Sequence, residues 1–334
     1  MRIIIPMAGM GKRMRPHTLT VPKPLISIAG KTIVQRLVED IVKVCNEKVE
    51  EIAFIISPAF GKEVEKSLIS IAENLSSKGT IYYQTEALGT AHALYCAKES
   101  IADNVIVAFA DTLFIADFSL DSKSDSTIWV HKVADPSAFG VVKLDNENYI
   151  SDFVEKPKQF VSDLAIIGIY YFKNGNALRQ EIDYLIDNSI TVKGEYQLTD
   201  ALENLKKKGT KFSVGKVKEW LDCGNKSATV YTNTRVLNNI GNFVSKSAKL
   251  VNTTIIEPCY IGEGVVINNS VIGPFATIHS NCTIESSIIS NSLIQSTTSL
   301  FSVNLTDTMI GSECVVKGEA KSLNLGDFST IEKC

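Results

Sequence analysis

Residues 1–25 read MRIIIPMAGMGKRMRPHTLTVPKPL, an apolar run followed by a basic loop that contains two glycines. The run at residues 3–5 has the β-branched composition of a buried strand in a parallel sheet. Gly9 and Gly11 let the backbone after it turn tightly and approach a ligand closely. The same loop carries three cations, Lys12, Arg13 and Arg15. The pattern predicts a phosphate-binding loop at the carboxyl end of the first strand.

Two common phosphate-binding motifs are excluded by the residues of this loop. A dinucleotide fingerprint requires a third glycine at the position of Met14. A Walker A loop requires Ser or Thr after Gly-Lys, whereas this chain has Arg13 after Gly11 and Lys12. The loop therefore indicates a phosphate site of another class.

The segments that follow alternate apolar strands with amphipathic helices. Alternation with short turns predicts an α/β fold, a Rossmann-like doubly wound mixed sheet whose ligands bind at the carboxyl ends of the strands. Helices are predicted at 31–44, 61–75 and 226–237, and buried strands are predicted at 52–56, 80–84 and 105–109.

Two polar residues stand at predicted strand ends. The amide of Gln84 can both donate to and accept from the edge of a pyrimidine base. Asp111 follows the strand at 105–109, where a carboxylate is well placed to hold Mg²⁺ against nucleotide phosphates. Gly89 opens the helix after Gln84, and the free N–H groups of a helix start suit an anion or a base carbonyl.

Together with Thr18 and Pro22-Lys23-Pro24, the basic loop resembles the signature of the sugar-1-phosphate nucleotidylyltransferases, GxGTRxxPxT followed by PKP. The chain departs at Lys12, where the family generally has Thr, so the triphosphate contact there stays open. The resemblance implies that Arg13 neutralises the leaving pyrophosphate and the transition state. It implies that Lys23 draws the attacking phosphate onto the α-phosphorus. The nucleotide-binding residues that it implies are Ala8, Gly9, Gly11, Lys12, Gln84 and Gly89.

From residue 127 the pattern becomes β-rich and resembles three consecutive family motifs in a sugar-binding region. A carboxylate at Glu155 beside Lys156 suits a sugar phosphate, which offers hydroxyls to the first and a dianion to the second. The motifs are Phe139-Gly140-Val141, Val154-Glu155-Lys156-Pro157 and Gly168-Ile169-Tyr170-Tyr171-Phe172. The sugar-phosphate-binding residues implied by the resemblance are Gly140, Glu155, Lys156, Tyr170 and Glu195.

The segment Trp220-Leu221-Asp222-Cys223-Gly224 resembles the family's Trp-Leu-Asp-x-Gly motif, whose Asp is a metal ligand. The resemblance therefore implies that Asp222 joins Asp111 as a ligand of the cofactor Mg²⁺.

Beyond residues 240–242 the helical period disappears. Apolar residues recur every five or six positions among small and polar residues, a pattern that resembles the hexapeptide repeat of a left-handed parallel β-helix. The predicted domains are therefore residues 1–238, the nucleotidylyltransferase catalytic domain, and 239–334, a short left-handed β-helix. The β-helix is expected to serve assembly and stability. An acyltransferase that uses His279 as base is an alternative.

Composition bounds the partners and the compartment. With 334 residues and a net charge of −3, the chain lacks the basic surplus of a general nucleic-acid binder. No apolar run approaches the roughly 18 residues that a membrane span needs, and no signal peptide precedes the first strand, so a cytoplasmic location is expected. The seven cysteines include no CxxC pair, which argues against a zinc site. The open ends of a repeat core make a homo-oligomer an open possibility.

The function implied by the resemblance is the transfer of a nucleotidyl group from a nucleoside triphosphate to a hexose 1-phosphate. The triphosphate expected from the amide of Gln84 is dTTP or UTP. Glu155-Lys156-Pro157 and the Asp of Trp220-Leu221-Asp222 are more similar to glucose-1-phosphate enzymes than to N-acetylglucosamine-1-phosphate uridylyltransferases. A catalytically silent subunit that binds nucleotide sugars is the alternative from another class. The expected partners are thus the nucleoside triphosphate and the sugar 1-phosphate.

Overall fold

A computed structural model describes residues 1–116, 120, 124–318 and 322–332. These residues form two compact units. The first unit contains Met1–Gly9 and Leu37–Trp220. The second contains Met10–Arg36 and the described residues from Leu221 onward. The basic loop and the repeat region therefore belong to the same unit, although they lie at opposite ends of the sequence.

The elements follow the predicted order. The helices are α1 (Ile33–Val44), α2 (Lys62–Asn74), α3 (Thr90–Cys96), α4 (Gly175–Asp187), α5 (Leu198–Lys207) and α6 (Lys226–Ile240). Up to α6 the strands are β1 (Arg2–Pro6), β2 (Ser27–Ile28), β3 (Lys31–Thr32), β4 (Glu51–Ile56), β5 (Lys78–Tyr83), β6 (Val105–Ala108), β7 (Thr112–Ile115), β8 (Ser126–Lys132), β9 (Gly140–Leu144), β10 (Ile150–Glu155), β11 (Leu164–Phe172), β12 (Phe212–Lys216) and β13 (Glu219–Asp222).

The first unit is built on a mixed sheet in the order β10-β9-β11-β6-β1-β4-β5, with β8 beside β11 and β12 beside β8. Strand β1 lies parallel to β4 and β6, whereas β11 runs antiparallel to β6. The apolar residues of β1, β4 and β6 are buried because both faces of the sheet are covered, as in a doubly wound fold. The predicted α/β sheet is confirmed.

Helices of the first unit bury their apolar faces against this sheet. Leu94 of α3, Leu178 of α4 and Leu202 of α5 belong to one core cluster with Ile4 and Val107 of the sheet. Each of these side chains is fully buried. The packing fixes the carboxyl ends of β1, β5 and β6, which are the ends that the sequence predicts to carry ligands.

The second unit contains the β-helix. Its short strands are β14 (Phe243–Val244), β15 (Lys249–Val251), β16 (Thr254–Ile255), β17 (Tyr260–Ile261), β18 (Val266–Asn268), β19 (Val271–Ile272), β20 (Thr277–Ile278), β21 (Thr283–Glu285), β22 (Ile288–Ile289), β23 (Leu293–Ile294), β24 (Ser299–Phe301), β25 (Asn304–Leu305), β26 (Met309–Ile310), β27 (Val315–Lys317), β28 (Asn324–Leu325) and β29 (Thr330–Glu332).

These strands stack into three parallel sheets, the arrangement typical of a left-handed β-helix, which confirms that prediction. The first sheet is β14-β17-β20-β23-β26-β28, the second is β15-β18-β21-β24-β27-β29, and the third is β16-β19-β22-β25. In the first sheet Ile261, Ile278 and Ile294 stand in register, and each is fully buried in the prism. Asn252, Asn269 and Ser286 turn one corner with positive φ, a conformation that Asn tolerates well.

Two predicted boundaries are wrong by a few residues. The helix expected from residue 31 begins at Ile33, because Lys31–Thr32 pairs with Ser27–Ile28 as a short hairpin. The last helix before the β-helix, α6, runs to Ile240 and not to residue 237. Within the described residues, no helix is long and apolar enough to cross a membrane.

Candidate functional site

The basic loop is a tight turn in which Gly11 cannot be replaced without strain. Gly11 has φ +58°, and a Cβ atom added to it would lie 2.9 Å from Cβ of Lys23 and 3.1 Å from Cγ2 of Thr18. The Thr18 hydroxyl donates a hydrogen bond of 2.8 Å to the carbonyl oxygen of Gly11. The segment thus folds back on itself, which brings the backbone at Gly11 and the stem of Lys23 into contact.

The cations of this loop lie at the surface, next to a buried residue that fixes the turn. Met14 is 1% exposed and anchors the turn, whereas Lys12 and Arg13 are exposed on it. In the first unit, Ala8 and Gly9 continue the chain past the end of β1. Apart from its two chain neighbours, no described residue has an atom within 4 Å of the position that a Cβ would take on Gly9. A ligand can therefore approach the backbone there closely.

Gln84 lies directly after β5, and its side-chain amide is oriented by two neighbours. Its Nε2 atom lies 3.3 Å from the carbonyl oxygen of Gly89 and 3.2 Å from Nδ1 of His92. Burial lowers the pKa of His92, which favours the neutral ring and an acceptor at Nδ1. With both amide protons donated, the carbonyl oxygen of Gln84 is left to accept from a ligand N–H group.

Gly89 joins the loop of Gln84 to the loop of Glu195. Gly89 has φ +108°, and an added Cβ would lie 2.4 Å from the carbonyl oxygen of Tyr196. The N–H of Tyr196 donates to the carbonyl of Leu88 at 2.8 Å, and the N–H of Ala91 donates to that of Tyr196 at 3.0 Å. Only glycine fits this approach of two backbones. The structure therefore brings Gln84, Gly89 and Glu195 into one region of the first unit.

Four of the predicted sugar-phosphate residues, all except Glu195, form a second cluster in the same unit. Glu155 and Gly140 are directly paired across β10 and β9, and a Cβ on Gly140 would lie 3.0 Å from Oε2 of Glu155. Nζ of Lys156 lies 3.2 Å from Oε1 of Glu155. Tyr170 is 7% exposed, and burial, with a smaller contribution from the negative charge of Glu155, raises the pKa of its hydroxyl. The cluster offers hydrogen-bond donors and acceptors of both charges to a polar ligand.

Asp200 belongs to this cluster and was not predicted from the sequence. One of its carboxylate oxygens, Oδ2, is buried and has no hydrogen-bond partner among the described residues. Burial first, and then the charge of Glu155, raises the pKa of Asp200. An acidic residue in the first turn of a helix is usually explained by the helix dipole, so no sequence pattern distinguishes Asp200 as a site residue. A buried carboxylate near Glu155 is a candidate acceptor for a ligand hydroxyl.

The two predicted metal ligands lie in different units. Asp111 follows β6 in the first unit, where its neighbour Thr112 donates a hydrogen bond of 2.8 Å to the carbonyl of Ile167. Asp222 ends β13 in the second unit and accepts a hydrogen bond of 3.0 Å from the N–H of Gly224 at Oδ1. Groups of three or more His, Cys, Asp or Glu arranged to hold a metal do not occur among the described residues. Carboxylate oxygens suit Mg²⁺, which usually takes one or two of them and completes its shell with phosphate and water.

Trp220 connects the turn at Asp111 with the Phe139-Gly140-Val141 motif. Its Nε1 lies 3.4 Å from Oγ1 of Thr112, and its ring makes an edge contact with Phe139 at 4.9 Å between centroids. An aromatic residue at this position therefore packs two motifs of the first unit together, a role that the motif pattern alone does not reveal.

His279, the alternative acyltransferase base, is enclosed in the second unit. It is 5% exposed, and its Nε2 lies 3.2 Å from the carbonyl oxygen of Ser27. Its ring lies 5.8 Å from that of Tyr260. Burial lowers the pKa of His279 to about 4. A base with these surroundings is not placed to touch a substrate, so its role is to hold the backbone at Ser27.

The buried His279 is expected to make the free energy of unfolding depend on pH. The folded protein keeps this ring neutral down to about pH 4, whereas the unfolded chain protonates it below about pH 6.5. Its contribution is therefore complete above pH 6.5 and falls by up to about 1.4 kcal/mol per pH unit between 6.5 and 4. His279→Gln keeps a donor to Ser27 but does not titrate. Urea unfolding across this range should show a shallower pH slope for the variant, and equal slopes would contradict the prediction.

Comparison with known proteins places the chain. A family profile described as Nucleotidyl transferase matches residues 2–239. The glucose-1-phosphate thymidylyltransferase of Streptomyces antibioticus is 26% identical over an alignment of 363 positions, gaps included, which covers 99% of each chain. The bifunctional protein GlmU of Methanococcus maripaludis (strain C7) is 33% identical over 270 residues, which cover 80% of this chain. The matched region spans only 62% of the length of that protein.

A crystal structure supports the fold. A Bacillus anthracis protein, described as a glucose-1-phosphate thymidylyltransferase in complex with sucrose, superposes with a TM-score of 0.61 at 23% identity. The superposition covers 73% of this chain and 97% of that one. At this identity the likeness concerns the fold alone. Because the family profile covers more than half of the sequence, the chain belongs to the nucleotidyl transferase family.

Proposed function

We propose that the chain transfers a nucleotidyl group from a nucleoside triphosphate to a sugar 1-phosphate and releases pyrophosphate. The observation that carries this proposal is that the basic loop of this family member is a tightly packed turn with exposed cations. Gly11, Thr18 and Lys23 are packed together, and Lys12 and Arg13 lie exposed beside them. A fixed turn that presents cations suits the triphosphate and the pyrophosphate that leaves.

The proposed reaction is an in-line displacement. An oxygen of the sugar phosphate forms a bond to the α-phosphorus while the bond from that phosphorus to the bridging oxygen of the β-phosphate breaks. The electron pair leaves with pyrophosphate, so no covalent enzyme intermediate is required. The work of the protein is positioning and charge stabilisation. Arg13 would offset the charge that develops on the leaving pyrophosphate, and Lys23 would orient the attacking phosphate.

Asp111 and Asp222 are the residues that we propose as Mg²⁺ ligands. The ion, when bound, offsets negative charge on the phosphate oxygens. The hydrogen bond from Gly224 to Oδ1 holds the Asp222 carboxylate in one orientation, which would reduce the cost of ordering it on binding.

On the sugar side we propose glucose 1-phosphate as the acceptor. Glu155 and Glu195 would accept hydrogen bonds from sugar hydroxyls, and Lys156 would bind the phosphate. The direct pairing of Gly140 with Glu155 keeps the space in front of that carboxylate clear, because a side chain at residue 140 would come within 3.0 Å of it. Buried Tyr170 adds an apolar ring and a polar hydroxyl to this cluster.

A pyrimidine triphosphate, dTTP or UTP, is the expected nucleotide. The two donors of the Gln84 amide are engaged by Gly89 and His92, which leaves its oxygen for the N–H that thymine and uracil share. One relative is named as a thymidylyltransferase, whereas the name of the GlmU relatives, bifunctional protein, specifies no nucleotide. The preference between dTTP and UTP is therefore left to experiment.

The test is a matrix of nucleoside triphosphates and sugar 1-phosphates assayed for Mg²⁺-dependent pyrophosphate release. We expect dTTP or UTP with glucose 1-phosphate to exceed ATP and GTP by more than about tenfold in kcat/KM, the discrimination of one or two hydrogen bonds. A purine triphosphate as the best substrate would show that the Gln84 assignment is wrong. Absence of turnover with every pair, together with tight binding of a nucleotide sugar, would favour a silent subunit.

A further inference from the structure

The segment that carries the basic loop lies along the first sheet of the β-helix, within the second unit. Side chains from two coils meet at one backbone atom, because Nε2 of Gln295 lies 3.0 Å and Nε2 of His279 lies 3.2 Å from the carbonyl oxygen of Ser27. Gly30 packs on the ring of Tyr260, where an added Cβ would come within 2.5 Å. Coils that are more than 200 residues away in the sequence thus support the segment after Lys23.

The part of the segment next to Arg13 rests on the final described coil. Nε2 of His17 lies 2.8 Å from Oδ1 of Asn324, and His17 is only 4% exposed. The Thr20 hydroxyl donates to Oδ2 of Asp327. The other oxygen of Asp327 accepts a hydrogen bond of 2.6 Å from the N–H of Ser312, which fixes that carboxylate to the β-helix.

Backbone packing accompanies these hydrogen bonds. A Cβ added to Gly326 would lie 2.9 Å from Cβ of Pro16 and 3.1 Å from its carbonyl oxygen. The residues in contact with the final coil are therefore Pro16, His17 and Thr20, which stand between Arg13 and Lys23 in the sequence. The coil can hold the turn through these three residues without itself having to contact Arg13 or Lys23.

We propose that Asn324 and Asp327 are positioning residues of the basic loop, acting through His17 and Thr20. This inference rests on the proposed role of that loop in binding the triphosphate. A cation loses less conformational entropy on binding a ligand when backbone packing and hydrogen bonds of neighbouring residues already hold its loop in place. The β-helix then does more than assemble the protein, because its last coil sets the geometry of a loop whose sequence lies 300 residues earlier.

The first test needs no substrate and measures amide hydrogen exchange in the turn. The N–H of Met14 bonds to the carbonyl of Gly11 at 2.9 Å, and that of Leu19 bonds to Pro16 at 3.1 Å. Asn324→Ala should speed exchange at both amides by about tenfold, since the turn opens locally more often. Asn304 is the matched control, because it is the exposed Asn of an Asn–Leu strand in the third sheet. Asn304→Ala should leave both amides unchanged.

The second test separates positioning of the triphosphate from general stability. Asn324→Ala is expected to lower kcat/KM for the triphosphate by about tenfold, as small misplacements of catalytic groups do. The KM for the sugar phosphate should change by less than about twofold, because Lys23 is its one proposed contact in the second unit, whereas Glu155, Lys156 and Glu195 lie in the first. Asn324→Asp keeps an acceptor for His17 and should restore the rate. Thr20→Val should behave as Asn324→Ala does, whereas Thr20→Ser keeps the hydroxyl and should behave as the wild type.

A double-mutant cycle identifies the contact itself. When His17→Ala is already present, Asn324→Ala should have little further effect on kcat/KM, because the two residues act through one hydrogen bond. The proposal is overturned if Asn324→Ala and Asn304→Ala give the same exchange rates and the same kcat/KM. If the wild-type protein turns over no substrate pair, the proposed function fails, and the exchange experiment still decides whether the coil holds the loop.

Discussion

Arg13→Ala should lower kcat for nucleotidyl transfer by about a hundredfold to a thousandfold, the loss seen when one preorganised stabiliser of developing charge is removed. The guanidinium is exposed on the turn at Lys12–Met14, and the turn is held by Met14, Thr18 and Gly11. The free energy of unfolding should therefore change by less than about 0.5 kcal/mol. Single-turnover pyrophosphate release at saturating substrate measures the effect on the chemical step.

Two variants in the same loop sharpen this prediction. Arg13→Lys keeps the charge but loses the planar fork that binds two phosphate oxygens, so its kcat should lie between those of Arg13→Ala and the wild type. Arg15→Ala removes an equally exposed cation two residues later, which the signature does not assign. It should cost less than about tenfold, because a screened surface charge contributes little. Equal losses for Arg13→Ala and Arg15→Ala would mean that only the net charge of the loop matters.

The fold could be predicted because its signals are local. Strands β1, β4 and β6 are continuous apolar runs, and the inward Ile of each β-helix coil returns at intervals of five or six residues. Each of these patterns can be recognised within a short stretch of sequence, without information from the rest of the chain. The short hairpin of β2 and β3 was missed because its turn, Ala29 and Gly30 at positive φ, follows a Pro-Lys-Pro that dominates the local pattern.

The contacts of the basic loop with the β-helix could not be predicted. His17 and Asn324 are 307 residues apart, and each is a polar residue in a very short element, a single 3-10 turn for His17 and the two-residue strand β28 for Asn324. Periodicity carries no information about which loop meets which coil, since that depends on tertiary packing. Asp200 was missed for a related reason, because only the fold shows that its carboxylate is buried towards Glu155. Sequence motifs therefore single out residues of the types that bind ligands, whereas the residues that support such side chains emerge only from the tertiary packing.

Asp111→Asn should lower kcat by about a hundredfold or more, because it removes a charge from a proposed Mg²⁺ ligand and changes little else. Asn has nearly the shape of Asp, and the turn after β6 is held by the hydrogen bond from Thr112 to Ile167, so the fold should persist. The variant should also bind Mg²⁺ more weakly. Titration of Mn²⁺ followed by electron paramagnetic resonance measures that affinity in the presence of a triphosphate, independently of turnover.

Asp103→Asn is the matched control for this variant. Asp103 is exposed near the amino end of β6, opposite the carboxyl end that Asp111 follows, and its φ of +50° is one that Asn tolerates. The control should leave both kcat and Mn²⁺ affinity unchanged, whereas Asp222→Asn should reproduce the loss in Asp111→Asn. Near-normal Mn²⁺ affinity in Asp111→Asn would contradict the assignment and return this carboxylate to a role in the turn. Ligands of an open α/β sheet bind at the carboxyl ends of its strands. Of the two variants next to β6, only Asp111→Asn should therefore weaken metal binding.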